Sequence, residues 1–458
     1  MKRIKLSTIC RLLNIDNKHN DFELVHITND IRDLKDDTLV FYLNKDIELN
    51  IKKFENLKNC FILTDQPILK HYDHLKDKFI FVLNVEQAYY HLINYYRSLF
   101  NIPVVAITGT CGKTTTKEMI RQILERKYNV VSTIINRNSL VCNNDYLFSI
   151  DDSTDFGIFE TAVAAPGYLL AGCNYFKPTI GVITNIGVDH LSECKTIDNY
   201  IRAKGEMLAG LQYKGTIIIN NDDKNIRQID LSPYKGKIIT FGIKEISDFF
   251  ADQIEYKEKG MEFTLYYKNT KYRVYTPGLG MHNIYNALAT LAVLKELGLD
   301  LKESIYYLSK VKFIRSHLEF HNGINGSKII DDTWSSNPTS MKAALEVLKE
   351  KGKNKTKIAV LGKIYYLGDY AQAQYKEIAK MIMEYGVDYL LTTDSSSKEI
   401  ANYAKDMGLK QVYHLHCSDN RELKKNLEDL LNQNSIALFK VSMYYQTITD
   451  VMKELIRD

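Results

Sequence analysis

Along the first hundred residues, short apolar runs such as Leu39–Leu43, Cys60–Leu63 and Phe79–Leu83 alternate with charged stretches of helical spacing. That alternation predicts a small α/β unit. A stronger signal follows. IPVVAIT (102–108) is an apolar run of buried-strand length that ends in a glycine turn and passes into KEMIRQILERK, whose apolar positions recur with helical spacing. Further strand-like runs stand at FGIFE (156–160), TIGVITNI (179–186) and GTIIIN (215–220), with helical patterns between several of them. Strands alternating with helices predict a mostly parallel sheet.

Near residues 300–325 the pattern resets. KIAVLG (357–362), VDYLLTT (387–393) and SIALFKV (435–441) again alternate with helices such as QAQYKEIAKMIMEYG, which predicts a second, smaller α/β domain. Placing the boundaries at these changes gives an N-terminal α/β domain (1–100), a central domain (101–312) and a C-terminal Rossmann-like domain (313–458). The fold class expected is therefore α/β, with a central phosphate-loop parallel-sheet domain between two smaller α/β domains.

Composition narrows the classes of function. The 458 residues, 45% hydrophobic and 25% charged, suffice for two or three domains that each bury a core. The net charge is only +4, from 60 basic against 56 acidic residues, and no long basic run stands out, so no nucleic-acid surface is expected. The start, MKRIKLSTICRLLNIDNKHN, lacks an apolar core of signal-peptide length, and no stretch approaches the roughly 18 apolar residues of a membrane span. A cytoplasmic protein without membrane insertion, acting as a monomer, is expected. Seven scattered cysteines without a CxxC pair suggest reduced thiols and neither a zinc site nor a disulfide frame.

The chemistry is concentrated in TGTCGKTTT, residues 108–116. Gly109 and Gly112 let the backbone approach phosphate closely, the following helix start presents free N–H groups, and Lys113 supplies a positive charge. Thr108, Thr110, Cys111 and Thr115 complete the loop, and Thr114 is placed to ligate Mg²⁺. The spacing departs from the usual phosphate-loop pattern, because Ile107 stands where the first glycine belongs. The strand before it and the helix after it are nevertheless the context such a motif needs. The competing account is a glycine turn with a surface lysine.

ITGTCGKTTTKEM closely resembles the phosphate loop of the Mur ligases, and further blocks occur in that family's order: FETA (159–162), KPTIGVITNIGVDHL (177–191), AKGEML (203–208), GLGMHNIYNALATLAV (278–293) and IIDDTWSSNP (329–338). Among the family's branches, KTTTKEM, TNIGVDHL, DDTWSSNPTSMKAAL and LGKIYYLG are most similar to the one that adds D-alanyl-D-alanine to a UDP-linked muramoyl tripeptide in peptidoglycan precursor synthesis. The resemblance implies a three-domain ATP-dependent, ADP-forming amide ligase. ATP phosphorylates a substrate carboxylate, an amino acid or peptide amine attacks the acyl phosphate, and phosphate leaves. Such catalysis is mostly positioning and charge stabilisation.

The resemblance also implies roles for residues. Lys113, His190 and Lys204 are the expected catalytic groups. Thr114, Glu160, His190 and Lys204 are expected to hold two Mg²⁺ ions, with Lys204 carried as a carbamate. Asn283 and Asn286, beside His282, match asparagines that hold adenine, although helix capping by Asn283 competes. Asp332 matches the acid that meets the ATP ribose, with Asn337 and Pro338 completing its turn. Asn136 and Asn138 match polar groups near the phosphates, and a turn or capping role competes for each. Where the family carries an arginine two residues before the position of Glu319, this chain has His317, and Arg315 is the expected replacement.

The substrate ends drift from the family. Instead of its DSR and GDLF-like motifs the first domain offers NDIR (29–32) and DDTLVF (36–41); Lys363 and Tyr366 stand where acids are usual, and a terminal KGSR has become KVSM (440–443). A paralogue joining a different acid and amine is the alternative. A non-catalytic nucleotide-binding scaffold would predict loss of Lys113, Glu160, His190 or Lys204, and all four are present.

Overall fold

The computed structural model describes residues 1–16, 21–43, 51–67, 70–134, 137–138, 146–312, 314–415 and 420–457. Asn136 lies outside them. The chain forms two compact units, one of Met1–Ala106, Leu124–Thr161 and Leu170–Thr179, the other of Ile107–Ile123, Ala162–Leu169 and Ile180–Asp458.

In the first unit, His26–Thr28, Thr38–Phe41, Phe61–Thr64 and Phe79–Phe81 pair in that order as a parallel sheet. Every residue of Thr38–Phe41 and Phe61–Thr64 is buried, which is why these strands read as continuous apolar runs. The helix Val85–Ser98 starts at Asn84, whose side chain accepts the Gln87 N–H at 2.8 Å. Its buried face, Ala88, Tyr89, Leu92, Ile93 and Tyr96, joins Phe41, Leu63, Phe148 and Phe159 in one core. Beside that core the buried Arg97 donates to the carbonyls of Phe176 at 2.9 Å and Phe100 at 2.6 Å. The strand Phe156–Glu160 pairs in parallel with Val130–Ser132.

In the second unit, Ile180–Ile183, Thr216–Asn220, Lys237–Gly242 and Phe249–Tyr256 run parallel in that order. The expected alternation of strand and helix then fails. Phe249–Tyr256, Gly260–Tyr267 and Thr270–Pro277 form an antiparallel meander with no helix between them. Phe249 and Ala251 are buried while Asp252, Gln253 and Glu255 are not, so the run never becomes a continuous apolar stretch.

The same unit holds a second sheet, of order Glu319–Asn322, Lys328–Asp332, Ser435–Lys440, Thr356–Leu361, Tyr389–Thr392 and Gln411–His414. Its first pair is antiparallel and the rest parallel. Ser435–Lys440 is wholly buried, including Lys440, and ends beside Asp332. Among the described residues, no helix is long and apolar enough to cross a membrane.

Candidate active site

The strand Val104–Thr108 ends where the glycine loop begins, and the helix Lys113–Leu124 follows directly. Gly109, at φ 152°, has no room for a side chain, since a Cβ there would stand 1.9 Å from Thr184 Oγ1. Gly112, at φ 81°, is in the left-handed region, and its Cβ would meet Asn286 Oδ1 at 2.3 Å. The loop is therefore compressed between the strand end at Thr184 and the helix that carries Asn286.

Asn185 fixes that loop from below. Its side chain accepts the Cys111 N–H at 2.9 Å and donates to the Cys111 carbonyl at 2.9 Å, and its own carbonyl accepts the Thr110 N–H at 2.9 Å. Thr110 Oγ1 accepts the Gly187 N–H at 2.9 Å and lies 3.2 Å from the Tyr200 hydroxyl. The Cys111 thiol donates to Asn337 Oδ1 at 3.3 Å, and burial pushes its pKa up.

Two lysines meet at the loop. Lys113 Nζ donates to the carbonyls of Gly109 at 2.9 Å and Thr110 at 3.1 Å. Lys204, 1% exposed on the helix Ile197–Gly210, donates to the same Gly109 carbonyl at 3.0 Å and to Thr108 Oγ1 at 3.2 Å. Burial, and then the charge of Lys113, hold the Lys204 amine well below the usual lysine range. Its Nζ also lies 5.0 Å over the ring of Tyr200, one helical turn earlier. Among the described residues neither lysine forms an ion pair. Thr114 and Thr115 sit half-buried in the first turn of the helix that Lys113 begins.

His190 stands at φ 52° at the start of the short helix Leu191–Cys194. Its N–H donates to Asp189 Oδ1 at 3.0 Å, and Asp189 Oδ2 accepts from Asn337 Nδ2 at 3.5 Å. Burial holds its imidazole below the ordinary histidine range, with Asp189 opposing the shift and Lys204 and Lys113 adding to it.

From the second sheet, Asp332 Oδ2 lies 2.7 Å from the buried Lys440 ammonium. Asn337 caps the helix Pro338–Lys351 in a reciprocal box with Ser340. His282, at the start of the helix Met281–Glu296, is half-buried, its buried Nδ1 has no partner among the described residues, and desolvation pushes its pKa down to about 4. Asn283 is no helix cap. The helix starts at Gly280 without a side-chain cap, and Asn283 Nδ2 donates back to the carbonyls of Pro277 and Gly278 while its buried Oδ1 has no partner among the described residues. Arg315 is exposed, and its carbonyl engages His317 Nδ1 at 2.8 Å; the His317 ring packs 5.3 Å from Trp334.

One unit thus gathers Thr108–Thr115, His190, Lys204, Asn286 and Asn337, with Asp332 and His282 around Lys440. Glu160 and Asn138 belong to the other unit, where the buried Glu160 carboxylate accepts Asn138 Nδ2 at 2.7 Å and its N–H donates to Thr133 Oγ1 at 3.0 Å. Asn185 and Tyr200 were not among the sequence-predicted residues. The signal for Tyr200 was its four-residue spacing from Lys204; for Asn185 it was its place at a buried strand's carboxyl end.

Comparison with known proteins agrees with this geometry. Residues 107–294 match the Mur ligase middle domain and residues 318–442 the Mur ligase glutamate ligase domain, together more than half of the chain. The UDP-N-acetylmuramoyl-tripeptide--D-alanyl-D-alanine ligase of Buchnera aphidicola subsp. Baizongia pistaciae is 29% identical over 380 residues, 83% of this chain and 81% of the relative. That of Bacillus subtilis is 28% identical over 354 residues, 77% of this chain and 76% of the relative. Among solved structures, MurF from Acinetobacter baumannii superposes with a TM-score of 0.87 at 23% identity, covering 99% of each chain. MurF ligase from Thermotoga maritima in complex with ADP gives 0.81 at 20% identity, covering 94% of this chain and 97% of that one. The phosphate loop with its paired lysines, the middle and glutamate ligase domain matches and the full-length likeness in fold lead to one assignment: the chain belongs to the Mur ligase family.

Proposed function

We propose that this protein is the cytoplasmic, monomeric Mur ligase that joins D-alanyl-D-alanine to UDP-N-acetylmuramoyl-tripeptide with conversion of ATP to ADP and phosphate. The curated relatives, matched over most of their length, support the substrates. The observation that carries the chemistry is the convergence of Lys113 and Lys204 on the Gly109 carbonyl, two lysine side chains at a phosphate loop that form no ion pair among the described residues.

In this reading residues 1–100 bind the UDP-sugar end, 101–312 bind ATP and 313–458 close over the nucleotide. The loop N–H groups and Lys113 hold the phosphates, Asn283, Asn286 and His282 hold adenine, and Asp332 meets the ribose, with Arg315 beside it. A substrate carboxylate oxygen attacks the γ-phosphorus and ADP leaves. The amine nitrogen then attacks the acyl carbon, phosphate departs from the tetrahedral intermediate, and the nitrogen loses its proton. Lys113 neutralises charge that grows on the transferred group.

Within the second unit the Thr114 hydroxyl would offer Mg²⁺ an oxygen donor and His190 a nitrogen donor, and the family resemblance assigns the Glu160 carboxylate to the same role. Lys204 as a free amine does not suit it. Conversion to a carbamate would make it an anionic oxygen ligand, and its buried place beside Lys113 supports that modification. When bound, the ions would neutralise phosphate charge.

The test is ADP release by the purified protein with Mg²⁺-ATP and D-alanyl-D-alanine, with and without the UDP-linked tripeptide, following product mass. Tripeptide-dependent ADP and a product heavier by one dipeptide unit are expected. No stimulation would point to a paralogue with another acid or amine, the reading that the altered LGKIYYLG and KVSM motifs favour.

A further inference from the structure

Two loops leave neighbouring parallel strands at their carboxyl ends, one after Thr356–Leu361 and one after Ser435–Lys440. Loops in that position are where α/β proteins build sites. The first is pinned on both sides of its tip by the buried Ile364 and Leu367. Between them Tyr366 stands at φ 62°, unusual for a bulky side chain. Its carbonyl accepts the N–H groups of Leu191 at 2.8 Å and Ser192 at 3.3 Å, and its ring stacks on His190 at 5.1 Å with 15° between the planes.

From His190 the aromatic surface continues outward. The Tyr365 ring lies 5.9 Å from Tyr366 and 6.1 Å from Tyr444 of the second loop. Tyr366 is 48% exposed, Tyr444 70% and Met443 40%. At the far end the Lys363 ammonium rests 5.0 Å over the Tyr365 ring, and among the described residues it has no ion pair. A strip of apolar surface thus leads from His190 to a lone cation.

An amino acid or peptide acting as the amine has its nucleophile at one end and a carboxylate at the other. Such a molecule matches a strip whose inner end is the reacting centre and whose outer end is positive. An exposed cation over a ring is held weakly, so it can turn to a carboxylate. We infer that Lys363 binds the terminal carboxylate of the amine substrate while Tyr365, Tyr366 and Tyr444 pack against its small apolar side chains, setting the amine toward His190. The inference rests on the proposed ligase reaction and names the subsite for its second substrate.

The experiment uses the full chain with Mg²⁺-ATP and the UDP-linked tripeptide, comparing D-alanyl-D-alanine with its C-terminal amide, in the wild type and in Lys363→Glu and Lys363→Met. The wild type should show a KM about tenfold higher for the amide than for the dipeptide. Lys363→Glu should raise the dipeptide KM by about tenfold or more, leave the KM for ATP in place, and abolish or reverse the preference for carboxylate over amide. Lys363→Met should abolish the preference without reversing it. An unchanged dipeptide KM in both variants, or a wild type indifferent to the amide, overturns the inference alone. A wild type with no tripeptide-dependent ADP release overturns the proposed reaction, and this subsite with it.

Discussion

Lys113 and Lys204 place their Nζ atoms on one carbonyl, that of Gly109, at 2.9 and 3.0 Å. Like charges at that spacing oppose each other, and burial makes the second costlier. A bound triphosphate removes the conflict. Nucleotide at a hundred times its Kd should therefore stabilise the wild type by about 2.7 kcal/mol, seen as a rise in melting temperature. Lys113→Ala should lose most of that rise and lower ADP release by at least about a hundredfold. A nucleotide-dependent rise equal to the wild type's would take Lys113 out of phosphate binding.

Lys440 and Asp332 form the buried ion pair of the second sheet, with Lys440 Nζ also donating to the Ser335 carbonyl at 2.6 Å. Removing one partner of such a pair leaves a charge without compensation. Lys440→Met should cost about 3–5 kcal/mol in urea unfolding. Lys440→Met combined with Asp332→Asn should cost clearly less than the single change, because no orphaned carboxylate remains. Additive losses would mean that the two side chains contribute independently.

His282 links stability to pH. Burial pushes its pKa down to about 4 from an ordinary 6.5, with Asp332 opposing the shift and Lys440 and His317 adding to it. The folded chain keeps the ring neutral while the unfolded chain protonates it. Between about pH 6.5 and 4 the unfolded state binds more protons, so stability present above pH 6.5 is lost as pH falls toward 4. The full effect is roughly 3 kcal/mol. His282→Gln should flatten the unfolding free energy across that window relative to the wild type. Parallel pH profiles would show that the ring charges freely in the folded chain.

Much of the fold was legible because its strands are buried on both faces. Thr38–Phe41, Phe61–Thr64 and Ser435–Lys440 are continuous apolar runs that no surface helix would carry. The meander Phe249–Pro277 was not legible by that criterion, because exposed polar residues such as Asp252, Gln253, Lys271 and Arg273 interrupt its two flanking strands. At the site, the phosphate loop and Lys204 stand in motifs whose spacing survives. The loop's support from Asn185 was hidden, because a strand-end asparagine has no pattern of its own. Arg315 was expected to replace the family's arginine; its side chain is exposed while the His317 ring packs against Trp334, because the backbone turns at Ser316 (φ 58°) and Leu318 (φ 56°), and no local periodicity records such a turn.

Gly187 separates the loop before His190 from the helix Pro338–Lys351. A Cβ at Gly187 would stand 1.8 Å from Thr339 Oγ1 and 3.0 Å from Thr339 Cβ, so any side chain there must force the helix start away. That start carries Asn337, which accepts from Cys111 and donates to Asp189. Displacing it breaks both links between the helix and the phosphate-loop region. Gly187→Ala should therefore lower kcat by about a hundredfold, the usual consequence of misplacing a catalytic element by an ångström. Nucleotide binding by the loop, measured at equilibrium, should survive, because Thr108–Lys113 does not move with Asn337. Thr339→Gly added to Gly187→Ala should restore much of the rate by reopening the space. Wild-type turnover in Gly187→Ala would show that the close approach has no part in catalysis; failure of the double variant to recover would place the defect in the loop's own backbone.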